Sequence, residues 1–216
     1  MKTKLAIFDL DGTLADTITD IAHTMNAVLA ARGYPEFTLD DYRRFVGNGV
    51  VALSRRVIPE DDHAIADDLV QDFRERYPSR MFDNTLPFPG IPEMLDSLVS
   101  VGVGVAVLSN KPHAMTQEMC ARLFAKWPFD PVWGQMPEWK VKPDPASTLE
   151  IAKLRSVDPA HCVFIGDSGV DMATGKAAGM RSVGVLWGFR GREELREYGA
   201  DTIVDKVENL ADAILE

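Results

Sequence analysis

Three short apolar runs, KLAIF at 4–8, VGVAVL at 103–108 and CVFIG at 162–166, each stop abruptly on acidic or small polar residues: Asp9, Ser109-Asn110 and Asp167-Ser168. Patterns of helical length, at residues 91–101, 112–127 and 145–155, lie among them. Strand runs alternating with helices specify βαβ units and a largely parallel sheet flanked by helices, an α/β fold. Further short strands are expected at 131–134, 182–187 and 202–204. Ligands bind such sheets at the carboxyl ends of the strands, and all three polar clusters fall there.

Asp9 and Asp11 in IFDLDGTLADT are one residue apart. If the strand ran on, both would sit on one face about 6 to 7 Å apart. Each then disfavours ionisation of the other unless a cation lies nearby. Gly12 and Thr13 follow at once, so the pair belongs to a strand end.

Residues 16–83 break the alternation. Ile18, Ile21, Met25, Val28 and Leu29 form a helical stripe. Thr38-Leu39-Asp40-Asp41 resembles a capping box, and two more helices are expected at 49–58 and 62–77. Asn84 to Gly90, with Pro87 and Pro89, reads as a return linker. The expected organisation is a core of residues 1–15 and 84–216 with an inserted all-helical cap at 16–83.

A net charge of −10 argues against nucleic acid and anionic membranes as partners. The apolar run before Asp9 is too short for a signal-peptide core or a span, so a cytoplasmic protein is expected. Cys120 and Cys162 lie far apart in sequence and read as buried free thiols. The histidines His23, His63, His113 and His161 have no metal-ligand spacing, and the tryptophans read as packing residues.

Asp9, Asp11, Asp167 and Asp171 supply hard oxygen ligands that suit Mg²⁺. Ser109 and Asn110 supply neutral donors for phosphate oxygens. Lys142, in VKPDP, brings positive charge just before a helix expected to carry Asp144 as N-cap and Pro145 at its first position. A carboxylate nucleophile, a metal, a lysine and a hydroxyl are the parts that phosphoryl transfer through an aspartyl-phosphate requires. A calcium loop of the EF-hand type is a poor alternative, because Leu14 and Asp20 stand where Gly and Glu are needed. Asp171 has a second reading as a helix cap. Lys111, next to Asn110, is a candidate for steering anions, and Arg43, Arg44, Arg55 and Arg56 are candidates for a substrate carboxylate.

DLDGT, Ser109-Asn110, Lys142 and GDSGVD at 166–171 resemble, in order and spacing, the four motifs of haloacid dehalogenase superfamily phosphatases. The helical insertion resembles the superfamily's mobile α-helical cap. FVGNGV, PFPGIPEML, SNKP, KPDP and WGFRGREELREYGAD are similar to the phosphoglycolate phosphatase-like branch. Ser109 stands where many members have Thr, and the hydroxyl is kept. The resemblance implies a Rossmann-like core, Asp9 as nucleophile, Asp11 as acid and base, and Mg²⁺ held by Asp9, the Asp11 carbonyl and Asp167, with Asp171 orienting the water shell or Lys142. It implies contact with substrate at Thr13, Ser109, Asn110 and Asn48. Dehalogenases lack an acid at the position of Asp11, since a halide leaves without a proton, so a phosphatase is expected.

The expected substrate is a small phosphorylated metabolite, with phosphoglycolate leading, in a monomer or homodimer. The alternatives are a pyrophosphatase, a sugar-phosphate mutase of the β-phosphoglucomutase type, or a phosphometabolite-binding protein without turnover.

Overall fold

The computed structural model describes residues 2–216. The chain opens with β1 (Leu5–Phe8) and a short β2 (Ala15–Asp16), then runs through α1 (Ile18–Ala31), α2 (Leu39–Phe45), α3 (Val50–Arg56) and α4 (Ala66–Arg76). It returns through β3 (Leu86–Pro87) into α5 (Ile91–Ser100), β4 (Gly104–Pro112), α6 (His113–Leu123), β5 (Phe129–Gln135) and α7 (Ala146–Leu154). The last part is β6 (Cys162–Gly166), α8 (Gly169–Ala177), β7 (Arg181–Val185), α9 (Arg192–Glu197), β8 (Thr202–Val204) and α10 (Leu210–Leu215). Six strands make one sheet in the order β5-β4-β1-β6-β7-β8, every pairing parallel. This is the α/β architecture that the alternating runs specify, and it has the Rossmann-like core that the resemblance implies.

Period-two alternation divides the core. Ala6, Phe8, Val105, Val107, Val163 and Ile165 face the larger cluster, which continues into the helical insertion. Leu5, Ile7, Ala106, Leu108, Cys162 and Phe164 face the smaller one with Ile151 and Met180. Both faces are covered, which is why these strands read as continuous apolar runs. Both cysteines are buried and free.

Four elements differ from the sequence reading. β4 continues through Ser109, Asn110 and Lys111, because its ladder with β5 extends to Pro112 opposite Gln135. The helix expected at 112–127 ends at Leu123, ahead of Trp127, which precedes Pro128 and is biased away from helical geometry. The first turns expected in the helix at 62–77 are wound as a tighter 3-10 segment, Glu60–Ile65, before α4 begins. Pro145 is the N-cap of α7 rather than its first residue, and Asp144 Oδ1 accepts from the Ala146 N–H at 3.0 Å.

The segment expected to be a plain linker carries structure: β2 and β3 pair antiparallel, Ala15 with Pro87 and Asp16 with Leu86. The outgoing and returning chains are thus joined where the helical insertion leaves the core. Asp20, at the start of α1 and 2% exposed, locks the same point. Its carboxylate accepts from the Asn84 N–H and side-chain amide and from the Thr85 N–H and hydroxyl, at 2.7 to 3.0 Å. Thr38 and Asp41 form the expected capping box at α2.

Candidate active site

Strand β1 sits at the centre of the sheet between β4 and β6. Asp9 follows β1, Asp167 follows β6, and Ser109 and Asn110 occupy the end of β4, so parallel pairing alone gathers three distant stretches. The chain leaves β1 by a turn in which Gly12 has φ +82°. A side chain there would strike the Asp167 carboxylate. A Cβ at Gly188 would likewise strike the Gly12 carbonyl and Asp167. These two glycines let the loop after β7 close on the site. That loop braces it: Trp187 Nε1 donates to the Thr13 carbonyl at 3.0 Å and the Phe189 N–H to Asp167 Oδ2 at 2.7 Å.

Lys142 is buried and bridges two acids, with Nζ 2.7 Å from Asp171 Oδ1 and 3.0 Å from Asp9 Oδ1. Burial opposes its charge, but Asp171 and Asp9 outweigh that and raise its pKa. Asp171 also makes the capping box of α8, with Oδ2 accepting from the Ser168 N–H and hydroxyl at 3.1 and 2.6 Å. The helix-cap reading thus holds on Oδ2, while Oδ1 faces Lys142. Asp9 Oδ1 also accepts from the Leu10 N–H at 2.7 Å. Among the described residues no hydrogen bond reaches Asp9 Oδ2.

Carboxylate oxygens of Asp9, Asp167 and Asp171 come within 4.8 Å of one another. Burial, with Asp171 and Asp11 adding to it against the pull of Lys142, pushes Asp9 up to about 7. Burial and then its acidic neighbours hold Asp167 well above the usual carboxylate range. Three buried acids and one lysine leave an excess of negative charge that a hard divalent cation would neutralise, so this donor set fits such an ion.

The other expected residues have the following places. Thr13 is fully buried and its hydroxyl lies 3.4 Å from Asp167 Oδ1. Ser109 lines the pocket, its hydroxyl accepting from the Lys111 N–H at 3.2 Å. Asn110 lines it too and cross-braces the site: Oδ1 accepts from the Lys142 N–H at 2.8 Å, and Nδ2 donates to the Lys142 and Gly47 carbonyls at 3.2 and 3.1 Å. Asn48 turns to Arg56, which donates to its Oδ1 at 2.7 Å, while Gly47 and Gly49 line the pocket.

The structure gives Lys111, the sequence candidate for steering anions, partners that sequence reasoning missed, and it adds Tyr77 and Arg190. Lys111 Nζ lies 2.9 and 3.2 Å from the two Asp11 oxygens and 2.9 Å from the Tyr77 hydroxyl. Tyr77, at the end of the helical insertion, is thereby brought onto the core motif. Arg190 also ties the two parts, donating from Nη2 to the Arg44 and Val46 carbonyls at 2.9 and 2.7 Å. Arg43 and Arg44 pair with Asp40 and Asp41 at the surface, and none of the four candidate arginines, Arg43, Arg44, Arg55 and Arg56, lines the pocket. The SNKP and WGFRG stretches were the available signals for Lys111 and Arg190, but their partners lie far away in the chain.

Residues 6–185 match the family model described as haloacid dehalogenase-like hydrolase. A phosphoglycolate phosphatase of Xylella fastidiosa is 34% identical over 214 residues, covering 94% of this chain and 89% of the relative. One of Aquifex aeolicus is 31% identical over 186 residues, 86% of each chain. Among solved structures, a candidate phosphoglycolate phosphatase from Lactobacillus delbrueckii subsp. bulgaricus is 34% identical, with a TM-score of 0.94 over 100% of this chain and 99% of that one.

Proposed function

This chain belongs to the haloacid dehalogenase-like hydrolases, and from that membership we propose that it is a Mg²⁺-dependent phosphatase that hydrolyses phosphoglycolate through a phosphorylated Asp9. The observation that carries the reading is the juxtaposition of Asp9, with one oxygen held by Lys142 and the other unengaged, and Asp11 across the same pocket. A nucleophilic carboxylate needs one free oxygen, and an ester with a poor leaving group needs a proton donor.

In the proposed cycle Asp9 Oδ2 attacks phosphorus as the ester P–O bond breaks, and Asp11 protonates the departing oxygen. Asp11 then takes a proton from the water that attacks the aspartyl-phosphate, releasing phosphate and restoring Asp9. Lys142, fixed by Asp171, offsets the repulsion between Asp9 and an anionic substrate. Asp9, Asp167 and the Asp11 carbonyl would hold Mg²⁺, which when bound supplies charge neutralisation and polarises a phosphoryl oxygen. The α1–α4 insertion acts as a cap whose closure excludes water during transfer, with Ser109 and Asn110 meeting the phosphoryl group.

Phosphate release from a panel of phosphoglycolate, hexose phosphates, nucleotides and pyrophosphate, with and without Mg²⁺, tests this. A Mg²⁺-dependent preference for phosphoglycolate supports the reading. Activity undiminished in excess EDTA, or an isomerised ester from hexose 1-phosphate in place of phosphate, contradicts it.

A further inference from the structure

The pocket above Asp9 and Asp11 is walled largely by apolar groups, including Ile21, Val50, Leu53, Phe73 and Met115. Among the described residues lining it, the only cationic side chain is that of Lys111. The Lys111 side chain is 4% exposed, and its ammonium lies 4.6 Å from the Tyr77 ring centroid as well as against the Tyr77 hydroxyl. A buried ammonium requires an anionic partner, and here that partner is Asp11. Asp11 must present an oxygen to the leaving group, yet both of its oxygens face Lys111.

In a phosphorylated 2-hydroxy acid the carboxylate carbon is two bonds from the leaving oxygen. Its oxygens lie about 3 to 4 Å from that atom at ordinary bond lengths. An Asp11 oxygen in hydrogen-bond contact with the leaving oxygen, about 2.7 Å away, would set the substrate carboxylate beside the ammonium now paired with Asp11. We infer that Lys111, with the Tyr77 hydroxyl, is the receptor for the substrate's carboxylate, and that this carboxylate draws the ammonium off Asp11 as substrate enters. The inference rests on the phosphoglycolate reading and deepens it. The charge that recognises the acid comes from the core strand β4 and meets the cap at Tyr77. An ester without a carboxylate leaves Lys111 on Asp11, so discrimination enters kcat as well as KM.

Ethyl phosphate, which carries a methyl group where phosphoglycolate has its carboxylate, is the test substrate. Wild-type kcat/KM for phosphoglycolate should exceed that for ethyl phosphate by about 100-fold or more. Lys111→Met should collapse this ratio to within about 5-fold, chiefly by loss on phosphoglycolate. Tyr77→Phe should lower it by about 5-fold. No wild-type preference for phosphoglycolate removes the substrate reading and the inference with it. A wild-type preference that Lys111→Met keeps, or an equal fall on both esters, overturns the inference alone and leaves Lys111 as a positioning partner of Asp11. Should circular dichroism find Lys111→Met unfolded, the Tyr77→Phe ratio decides, a fall supporting the inference and an unchanged ratio overturning it.

Discussion

At the scale of single residues, the site is governed by how few cations face its buried acids. Asp9 is pushed up to about 7, first by burial, and Asp167 is raised in the same direction. In the metal-free protein these acids hold protons that the unfolded chain has already lost, so their contribution to stability is present at low pH. It falls as pH rises from the unfolded value of 3.8 toward about 7 for Asp9. Mg²⁺ binds the ionised forms, so the rise in Tm on adding Mg²⁺ should be larger at pH 8 than at pH 5. An equal shift at both would show that these carboxylates do not bind the ion. Asp9→Asn should lower kcat by about 10⁴-fold or more while far-UV circular dichroism stays native, because Lys142 keeps Asp171 as a partner. Steady-state hydrolysis near the wild-type rate would remove Asp9 as nucleophile. The gathering of Asp9, Asp11, Lys142, Asp167 and Asp171 was legible from sequence because each lies in a short motif just past a strand or near the start of a helix. The Lys111–Tyr77 contact was not, since it joins residues 34 positions apart through packing that no local pattern encodes.

At the scale of elements, the point where the helical insertion leaves and rejoins the sheet is built from a two-stranded ribbon and one carboxylate. Asp20 accepts from both Asn84 and Thr85, so Asp20→Ala leaves four donors without their acceptor, the two of Thr85 buried. The loss should be about 2 to 4 kcal/mol in urea unfolding, with Asp20→Asn intermediate. A change below about 0.5 kcal/mol would mean that the ribbon alone sets the junction. Arg190 ties the loop after β7 to the helical insertion through the Arg44 and Val46 carbonyls. Arg190→Ala should therefore speed hydrogen exchange in residues 44–50 and raise KM, and unaltered exchange there would show that Arg190 does not hold the cap. The strands were legible in kind because both faces of the sheet are buried, which makes each run apolar throughout. Their ends were less so. The extension of β4 depends on its neighbour β5, and the β2–β3 ribbon is too short to carry a period.

For the molecule as a whole, an acidic chain of net charge −10 is asked to admit an anion. The solution is local: Lys142 and Lys111 are buried among the acids. Among the described residues no helix is long and apolar enough to cross a membrane. The α/β class and the inserted helices could be read from the alternation of runs, whereas the closure of insertion on core depends on contacts between residues as distant as Val46 and Arg190. The central claim is that phosphate passes through Asp9, which requires two in-line displacements at phosphorus. The stereochemical course of hydrolysis, followed with a phosphoryl group made chiral by sulfur and oxygen isotopes, tests it most directly. The account predicts overall retention of configuration. Inversion would mean a single displacement by water and would contradict the covalent role of Asp9.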